Sequence, residues 1–362
     1  MFYPEKYEKV LERNEYVFDV RLPGGTKTVS EFIKKITAAE ECQKNTFIEL
    51  SLAEKPHFGF HCFRITTEIQ YLCRYEINRC MEGLKKAKQE GVDFLPTTTV
   101  QESIIRHYQK LDQHIEDIFK ALAPKNFLFI GDHSTSSFEY EGNADVWLAN
   151  NGYLNKEGMY KAFKRRLTKF LSNKFGVNIA NTAKTPAKKG LIRRPITRFD
   201  ADTTKAFGTF YDTGNFAGIF INDEARFGGA INSENEINEL VDKICQEFNS
   251  DETNIKYQIS AEPYKRNFLN TKFCELMPDI KLQKPDNIYF SSRRWEYLIE
   301  NPYMKPIDEP IEGKKYPFTG AKGSDPLFVY STELDKFIHS EDPNDLRMTY
   351  RLIKRYFSNG AP

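Results

Sequence analysis

The chain has 362 residues, which is enough for one large α/β domain or two smaller ones with a substantial core. Its 52 Lys and Arg residues balance its 51 Asp and Glu residues, so the composition excludes an overall bias toward nucleic acid or a charged membrane surface. No apolar run is long enough to span a bilayer, and the N-terminal residues lack the apolar core of a signal peptide.

Hydrophobic periodicity predicts helices and strands along most of the chain. In chain order they are strand 16–20, helix 29–36, strands 46–52 and 58–64, helices 68–88 and 99–122, strand 126–130, helices 144–154 and 156–174, strands 206–211 and 217–222, a helix at 233–248, strands 286–290 and 326–330, and a helix at 343–357. Capping-box patterns at Thr99–Glu102 and Ser233–Glu236 predict where two of the helices begin. Residues 176–198 are expected to form a basic loop that contains Arg193 and Arg194.

The predicted strand at 126–130 is a short apolar run that ends at Gly131 and leads directly into Asp132 and His133. Such a run is typical of a buried strand in a parallel sheet. In open α/β sheets the chemistry lies just beyond the carboxyl ends of such strands, and Asp and His are both zinc ligands. The pattern favours a central, mostly parallel sheet flanked by helices, with Asp132 and His133 as candidate ligands. An ordinary turn at the end of a strand is the alternative for the pair.

Five segments of the chain carry motifs in a fixed order. They are Tyr108–Ile115, Gly131–Ser134, Asp145–Leu154, Gly218–Ile231 and Met277–Ile280. Together they resemble the alkaline-phosphatase superfamily, and more narrowly its type I phosphodiesterase and nucleotide pyrophosphatase branch. The resemblance implies a single α/β domain over 1–362. Its alkaline-phosphatase-like core covers 46–330, an irregular or helical segment precedes it at 1–45, and a C-terminal helix follows at 331–362.

In that superfamily two metal ions activate a Ser or Thr nucleophile and stabilise a transferring phosphoryl or sulfuryl group. The resemblance assigns Asp132 and His133 to one metal. For the other metal it places Glu68 at an Asp position, and it places Leu72 and Lys322 at two His positions. A leucine side chain has no lone pair, and a lysine ammonium has none unless it is deprotonated. The resemblance therefore implies at most one divalent metal, zinc or a similar ion, held by Asp132, His133 and Glu68.

Three cationic side chains are candidate anion ligands. Lys322 replaces the charge of a lost metal with an ammonium, and Arg193 and Arg194 offer guanidinium groups that bind phosphate bidentately. A solvated charged loop is the alternative for the two arginines.

The leading functional hypothesis is a divergent, non-hydrolytic relative, a pseudoenzyme with an incomplete metal site. It is expected to bind a phosphorylated or otherwise anionic small molecule or glycan, or a protein partner, without nucleic acid and without a membrane span. One alternative is a working metal-dependent phosphodiesterase or phosphatase whose catalytic residues are not assigned. A second is a structural or assembly subunit with a vestigial site. The six cysteines form no Cys-x-x-Cys pair, which indicates reduced thiols and a cytoplasmic location.

Overall fold

The structure is a computed structural model of the chain. It describes residues 5–20, 27–131, 133–155, 199–210, 216–291, 295–307, 318–323, 327–338, 345 and 347–358. The α-helices are α1 (Glu8–Arg13), α2 (Val29–Glu54), α3 (Thr66–Glu90), α4 (Thr99–Leu122), α5 (Ala144–Asn150), α6 (Glu224–Phe227), α7 (Glu234–Ser250), α8 (Glu252–Lys256), α9 (Asp335–Ile338) and α10 (Arg347–Ser358). Short 3-10 helices lie at Glu5–Tyr7, Lys265–Phe268, Cys274–Leu276 and Thr332–Leu334.

The strands of the described residues are short, with three to five residues each. They are β1 (Leu128–Ile130), β2 (Ser134–Ser137), β3 (Tyr140–Gly142), β4 (Ala206–Phe210), β5 (Ala217–Ile221), β6 (Ser260–Pro263), β7 (Ile280–Gln283), β8 (Ile288–Phe290), β9 (Leu298–Glu300), β10 (Gly320–Gly323) and β11 (Phe328–Tyr330). The predicted helix at 156–174 and the basic loop at 176–198 lie outside the described residues.

The chain divides into two compact units. The helical unit comprises the described parts of Met1–Ser137 and Pro302–Pro362, and the sheet unit comprises those of Phe138–Asn301. No helix in the described ranges combines the length and the apolar character that a bilayer crossing requires.

Helices α2, α3 and α4 form the main body of the helical unit around one apolar cluster. Its most deeply buried side chains are Phe32, Ile33, Ile36, Ile69, Leu72 and Ile104. Burial of each such side chain contributes about 1.5–3 kcal/mol to the stability of the folded state. Helix α2 begins at a capping box between Thr28 and Glu31. It ends at Lys55, which has a φ of 46° and precedes a proline that restricts the preceding residue to non-helical conformations.

The predicted strand at 46–52 is wrong, because these residues continue α2 without interruption. Its alternating pattern competes with a longer helical one, and nothing in the sequence breaks the helix before Pro56. The predicted helices at 68–88 and 99–122 are confirmed as α3 and α4. The side-chain cap of α4 lies one residue earlier than predicted, at Thr98, which accepts the amide of Gln101.

A buried polar network joins the three long helices. His107 of α4 lies 2.8 Å through Nδ1 from Thr37 Oγ1 of α2 and 3.0 Å through Nε2 from Thr66 Oγ1 of α3. Glu40 of α2 accepts the backbone amide and the hydroxyl of Thr66 through Oε1. Burial lowers the pKa of His107 to about 4, and neighbouring His114 adds to the effect. The imidazole is therefore neutral at pH 7 and acts as a polar tie between helices.

The prediction of a central, mostly parallel sheet is wrong. The helical unit holds two antiparallel pairs, β1 with β11 and β2 with β10. The sheet unit holds a four-stranded antiparallel sheet in the order β4-β5-β7-β6 and a three-stranded sheet in the order β8-β3-β9, in which only β3 and β8 run parallel among the described strands. Strand β1 pairs along one edge, and its Ile130 is 42% exposed. A short apolar run fits such a partly exposed strand as well as a central one.

In the sheet unit, the four-stranded sheet packs beside α5 and α7 around a second apolar cluster that includes Phe207, Ile219 and Phe248. The predicted strands at 206–211 and 217–222 are present as the antiparallel pair β4 and β5. Ser233 caps α7, as the sequence predicted.

Candidate functional site

A kink in α3 brings strand β10 against the helix. Cys73 has non-helical dihedral angles, φ −108° and ψ 19°, and the backbone ladder is interrupted around it. Thr319 fills the interruption, since its hydroxyl donates to the carbonyl of Leu72 at 2.9 Å and accepts the amide of Tyr75 at 3.1 Å. Its own amide donates to the carbonyl of Tyr71. A side chain that inserts into the helical ladder is a recognised cause of a kink, and it fixes the start of β10 on α3.

Strand β10 approaches α3 with its backbone because Gly320 has no side chain. A Cβ on Gly320 would lie 2.4 Å from the carbonyl oxygen of Gln70 and 3.1 Å from the Cβ of Arg74. The face of β10 that carries Gly320 is therefore turned toward α3. Lys322 lies two residues further along the strand and shares that face, since side chains alternate between the two faces of a strand.

Strand β2 presents Thr135 to the same helix. Arg74 Nη1 donates to Thr135 Oγ1 at 3.2 Å, and Thr135 lies directly opposite Lys322 in the antiparallel pair. Opposed residues in such a pair carry their side chains on one face, with Cβ atoms about 5 Å apart. Thr135 thus contacts a guanidinium through its hydroxyl and has a lysine as its cross-strand neighbour.

Arg74 is half-buried, and its Nε is buried without a hydrogen-bond partner. Burial lowers the pKa of its guanidinium, and the titratable group whose charge acts on it is Tyr108. Tyr108 Oη accepts a hydrogen bond from Gln70 Nε2 at 3.2 Å, and burial raises the pKa of this phenol. Among the described residues, neither Arg74 nor Lys322 forms an ion pair with a carboxylate. The site therefore holds two cations that the described protein does not neutralise.

The structure places the predicted site residues as follows. Lys322 lies on the α3-facing side of β10, next to Thr135. His133 lies immediately before β2, and its Nδ1 donates to the carbonyl of Ser134 at 2.8 Å, which requires the proton on Nδ1. Glu68 lies in the first turn of α3, two residues and about 200° around the helix from Gln70. It therefore leaves α3 on a different side from Gln70.

Asp132, Arg193 and Arg194 lie outside the described residues, so their assignments stay predictions. Within the described ranges, no group of three or more His, Cys, Asp or Glu side chains is arranged to hold a metal ion. Leu72, at an expected ligand position, is 1% exposed within the apolar cluster of the bundle. Lys322, at another, carries an ammonium that repels a metal cation. The described donor set does not fit a metal, and its chemistry fits an anion.

Sequence reasoning missed Arg74 and Thr135. A signal was present in α3, where Gln70, Arg74 and Asn78 recur at four-residue spacing and so form one polar row on the helix. In the structure this row faces β2, since Arg74 contacts Thr135 and Asn78 Nδ2 donates to Ser137 Oγ at 2.7 Å. The serine-rich sequence of β2 was the complementary signal.

Comparison of the chain with protein-family models, with curated proteins and with solved structures finds no match.

Proposed function

We propose that the chain is a non-hydrolytic binding protein for the tetrahedral oxyanion group of a phosphorylated or sulfated small molecule or glycan. The group is held by Arg74, Lys322 and Thr135. The observation that carries the proposal is the placement of two cations around one hydroxyl with no carboxylate partner in the described chain. We further propose a reducing compartment such as the cytoplasm, which is supported by six cysteines that form no disulfide with one another.

The electrostatics favour an anionic ligand. A half-buried guanidinium loses hydration, and this cost is normally offset by a carboxylate or another oxyanion. Among the described residues, Arg74 has the neutral oxygen of Thr135 in this role. Lys322, the cross-strand neighbour of Thr135, adds a second positive charge on the same face of the β2–β10 pair. A bound oxyanion offsets the lost hydration of Arg74 and supplies acceptors for its unpartnered Nε.

The described residues of the site do not include a general base or a metal site beside the Thr135 hydroxyl. A hydroxyl such as that of Thr135 becomes a nucleophile only beside a general base or a metal. The titratable neighbour of Arg74 is Tyr108, whose raised pKa keeps the phenol protonated at pH 7. A protonated phenol donates a hydrogen bond and takes up no proton. The described residues therefore support retention of an oxyanion rather than its transfer.

Isothermal titration calorimetry with sodium sulfate at constant ionic strength tests the proposal. We expect one site per chain in the wild type and at least a tenfold loss of affinity in Arg74→Gln and in Lys322→Gln. Matched controls are Arg106→Gln and Lys86→Gln, which remove the same charges from side chains that are 71% and 75% exposed. Equal losses in the controls, or no binding in the wild type, would contradict the proposal.

A second assay addresses hydrolysis. We expect the purified chain, supplied with divalent metal ions, to hydrolyse a nitrophenyl phosphodiester no faster than the background rate. Turnover that disappears in Asp132→Ala would replace binding with metal-dependent hydrolysis as the function.

A further inference from the structure

The groups that face the proposed oxyanion are hydrogen-bond donors. Arg74 and Lys322 have donors only. Thr135 Oγ1 already accepts from Arg74, and Tyr108 Oη already accepts from Gln70. Each hydroxyl is therefore oriented to donate its own proton elsewhere. No bond from the hydroxyl protons of Thr135 and Tyr108 to another described group is present.

Among the described residues, no carboxylate forms a hydrogen bond or an ion pair with Arg74, Lys322 or Thr135. The Glu40 carboxylate of α2, whose charge acts on Tyr108, accepts from Thr66 inside the helical bundle. Two carboxylates of α3 and α4 also have partners outside the site. Glu76 accepts from Gln101, and Glu102 pairs with Arg106. No carboxylate is among the groups whose charge acts on Arg74. A ligand that carries an acidic P–O–H proton would have only weak hydroxyl lone pairs to receive it. Burying an unsatisfied donor costs about 1–3 kcal/mol.

We propose, building on the oxyanion-binding function above, that this site selects tetrahedral oxyanions whose terminal oxygens carry no proton. Sulfate and sulfate monoesters meet this condition at both pH values of the test described below. Phosphate monoesters meet it only as dianions, above their second pKa of about 6. Inorganic phosphate retains a proton at neutral pH and is disfavoured. Selection rests on the lack of a carboxylate acceptor among the described residues of the site. A site built for one hydrogen-bonding pattern rejects a ligand whose pattern does not match it.

Calorimetry at pH 5.5 and 7.5 with sulfate, phenyl sulfate, phenyl phosphate and inorganic phosphate tests this selection. Sulfate and phenyl sulfate are expected to bind with affinities that change less than twofold between the two pH values. Phenyl phosphate is expected to weaken about fourfold at pH 5.5, which follows from its smaller dianion fraction. Inorganic phosphate at pH 7.5 is expected to bind about tenfold more weakly than sulfate, the factor that about 1.4 kcal/mol represents.

The sulfate series is also the control for titration of the protein. Among the described residues, the charged and titratable groups at or next to the site are Arg74 and Cys73 on α3, Tyr108 on α4, Glu40 on α2, Lys322 on β10 and His133 before β2. Any change in their protonation alters the affinity for sulfate and for phosphate alike. Dividing each phosphate affinity by the sulfate affinity at the same pH isolates the effect of ligand protonation on binding.

Thr135→Asn supplies an acceptor at the site, because its amide oxygen can receive the proton of phosphate. We expect the tenfold preference for sulfate over inorganic phosphate to shrink to about threefold or less. Equal wild-type affinities for sulfate and inorganic phosphate, or a phenyl phosphate affinity that does not change with pH, would overturn the selection while leaving oxyanion binding intact. Failure of all four anions to bind would instead refute the oxyanion-binding function. The wild-type series decides the matter even if the variant does not fold.

Discussion

Two arginines, one in each unit, have opposite surroundings. In the sheet unit, Arg226 is buried, and its guanidinium contacts Asp223 at 2.5 Å and Asp279 at 2.7 Å. The rings of Phe220 and Phe227 lie within 6 Å of it. Burial opposes its charge, yet the two carboxylates outweigh burial and raise the pKa of Arg226. In the helical unit, Arg74 has one neutral hydroxyl and a pKa that burial lowers.

The comparison separates a structural ion cluster from a candidate binding group. Arg226 completes its own electrostatics and ties together α6, the end of β5 and the start of β7, because Asp279 also accepts the amide of Ile221. Arg74 does not complete its electrostatics within the described chain. Perturbed, incompletely paired charges concentrate at functional sites. Whether a buried charged side chain has a structural or a functional role is therefore indicated better by its charge partners than by its burial.

The largest expected effect is on the paired arginine. Arg226→Met removes one partner from a buried ion cluster and leaves two carboxylates without compensation. We expect the free energy of unfolding to fall by about 3–5 kcal/mol, measured by urea denaturation. Arg266→Met is the matched control, since Arg266 pairs with Asp242 at an exposed position of the same unit. Its expected loss is below about 1 kcal/mol, and equal losses would contradict the comparison.

The next effect concerns the contact that places Lys322. Gly320→Ala would put a Cβ 2.4 Å from the backbone oxygen of Gln70, so β10 must move away from α3. We expect a loss of about 1–3 kcal/mol in stability together with weaker sulfate binding. Gly323→Ala is the control, because there the close atom is the hydroxyl of Ser134, which can rotate away. Unchanged sulfate affinity in folded Gly320→Ala would show that this contact does not position Lys322.

A smaller effect is expected in the pH dependence of stability. The folded pKa of His107, about 4, lies below its ordinary value of 6.5, so the unfolded chain binds more protons between these values. The free energy of unfolding contributed by His107 is therefore present above pH 6.5 and is lost as the pH falls toward 4. His107→Gln keeps a neutral polar group without titration. Between pH 7.5 and pH 5 we expect the wild type to lose about 1–2 kcal/mol more than the variant.

If the free energy of unfolding changed with pH in the same way in the wild type and in His107→Gln, the conclusion that His107 is a buried neutral imidazole would be contradicted. The variant comparison also cancels the opposite contribution of Glu40. Burial raises the pKa of this carboxyl above 4.5, so its contribution is present at low pH and lost as the pH rises. The two groups act in different directions and are distinguished only by the substitution.

The smallest expected effect is on the stability of Arg74 variants. Because Arg74 has no carboxylate partner in the described chain, Arg74→Gln leaves no charge uncompensated. We expect the free energy of unfolding without sulfate to change by less than about 1 kcal/mol. Added sulfate should then stabilise the wild type and not the variant, since a ligand stabilises only the state that binds it. A loss as large as that of Arg226→Met would show that Arg74 is a structural residue.

Local elements were predictable because their signals are local. The cap at Ser233 and the helices at 68–88 and 99–122 follow from capping residues and one apolar face, and the structure confirms them. The sheets were not predictable, because the apolar run at 126–130 specifies a strand but not its partner. Leu128 pairs with Tyr330, far along the chain and antiparallel.

One of the three residues of the proposed site could be read from the sequence. Lys322 was singled out by its position in the resemblance, whereas Arg74 required the knowledge that α3 kinks and meets β2 and β10. The kink depends on Thr319, a residue distant in sequence whose hydroxyl replaces backbone bonds of α3. No local pattern in α3 encodes that insertion.

The most direct test of the central claim is a crystal structure of the chain with selenate, an isostere of sulfate whose selenium scatters anomalously. We expect an anomalous peak from a selenate ion bound by Arg74, Lys322 and Thr135, with its oxygen atoms about 2.7–2.9 Å from the charged nitrogen donors. A structure in which Arg74 and Lys322 instead pair with carboxylates of the protein, and selenate lies elsewhere, would contradict the claim.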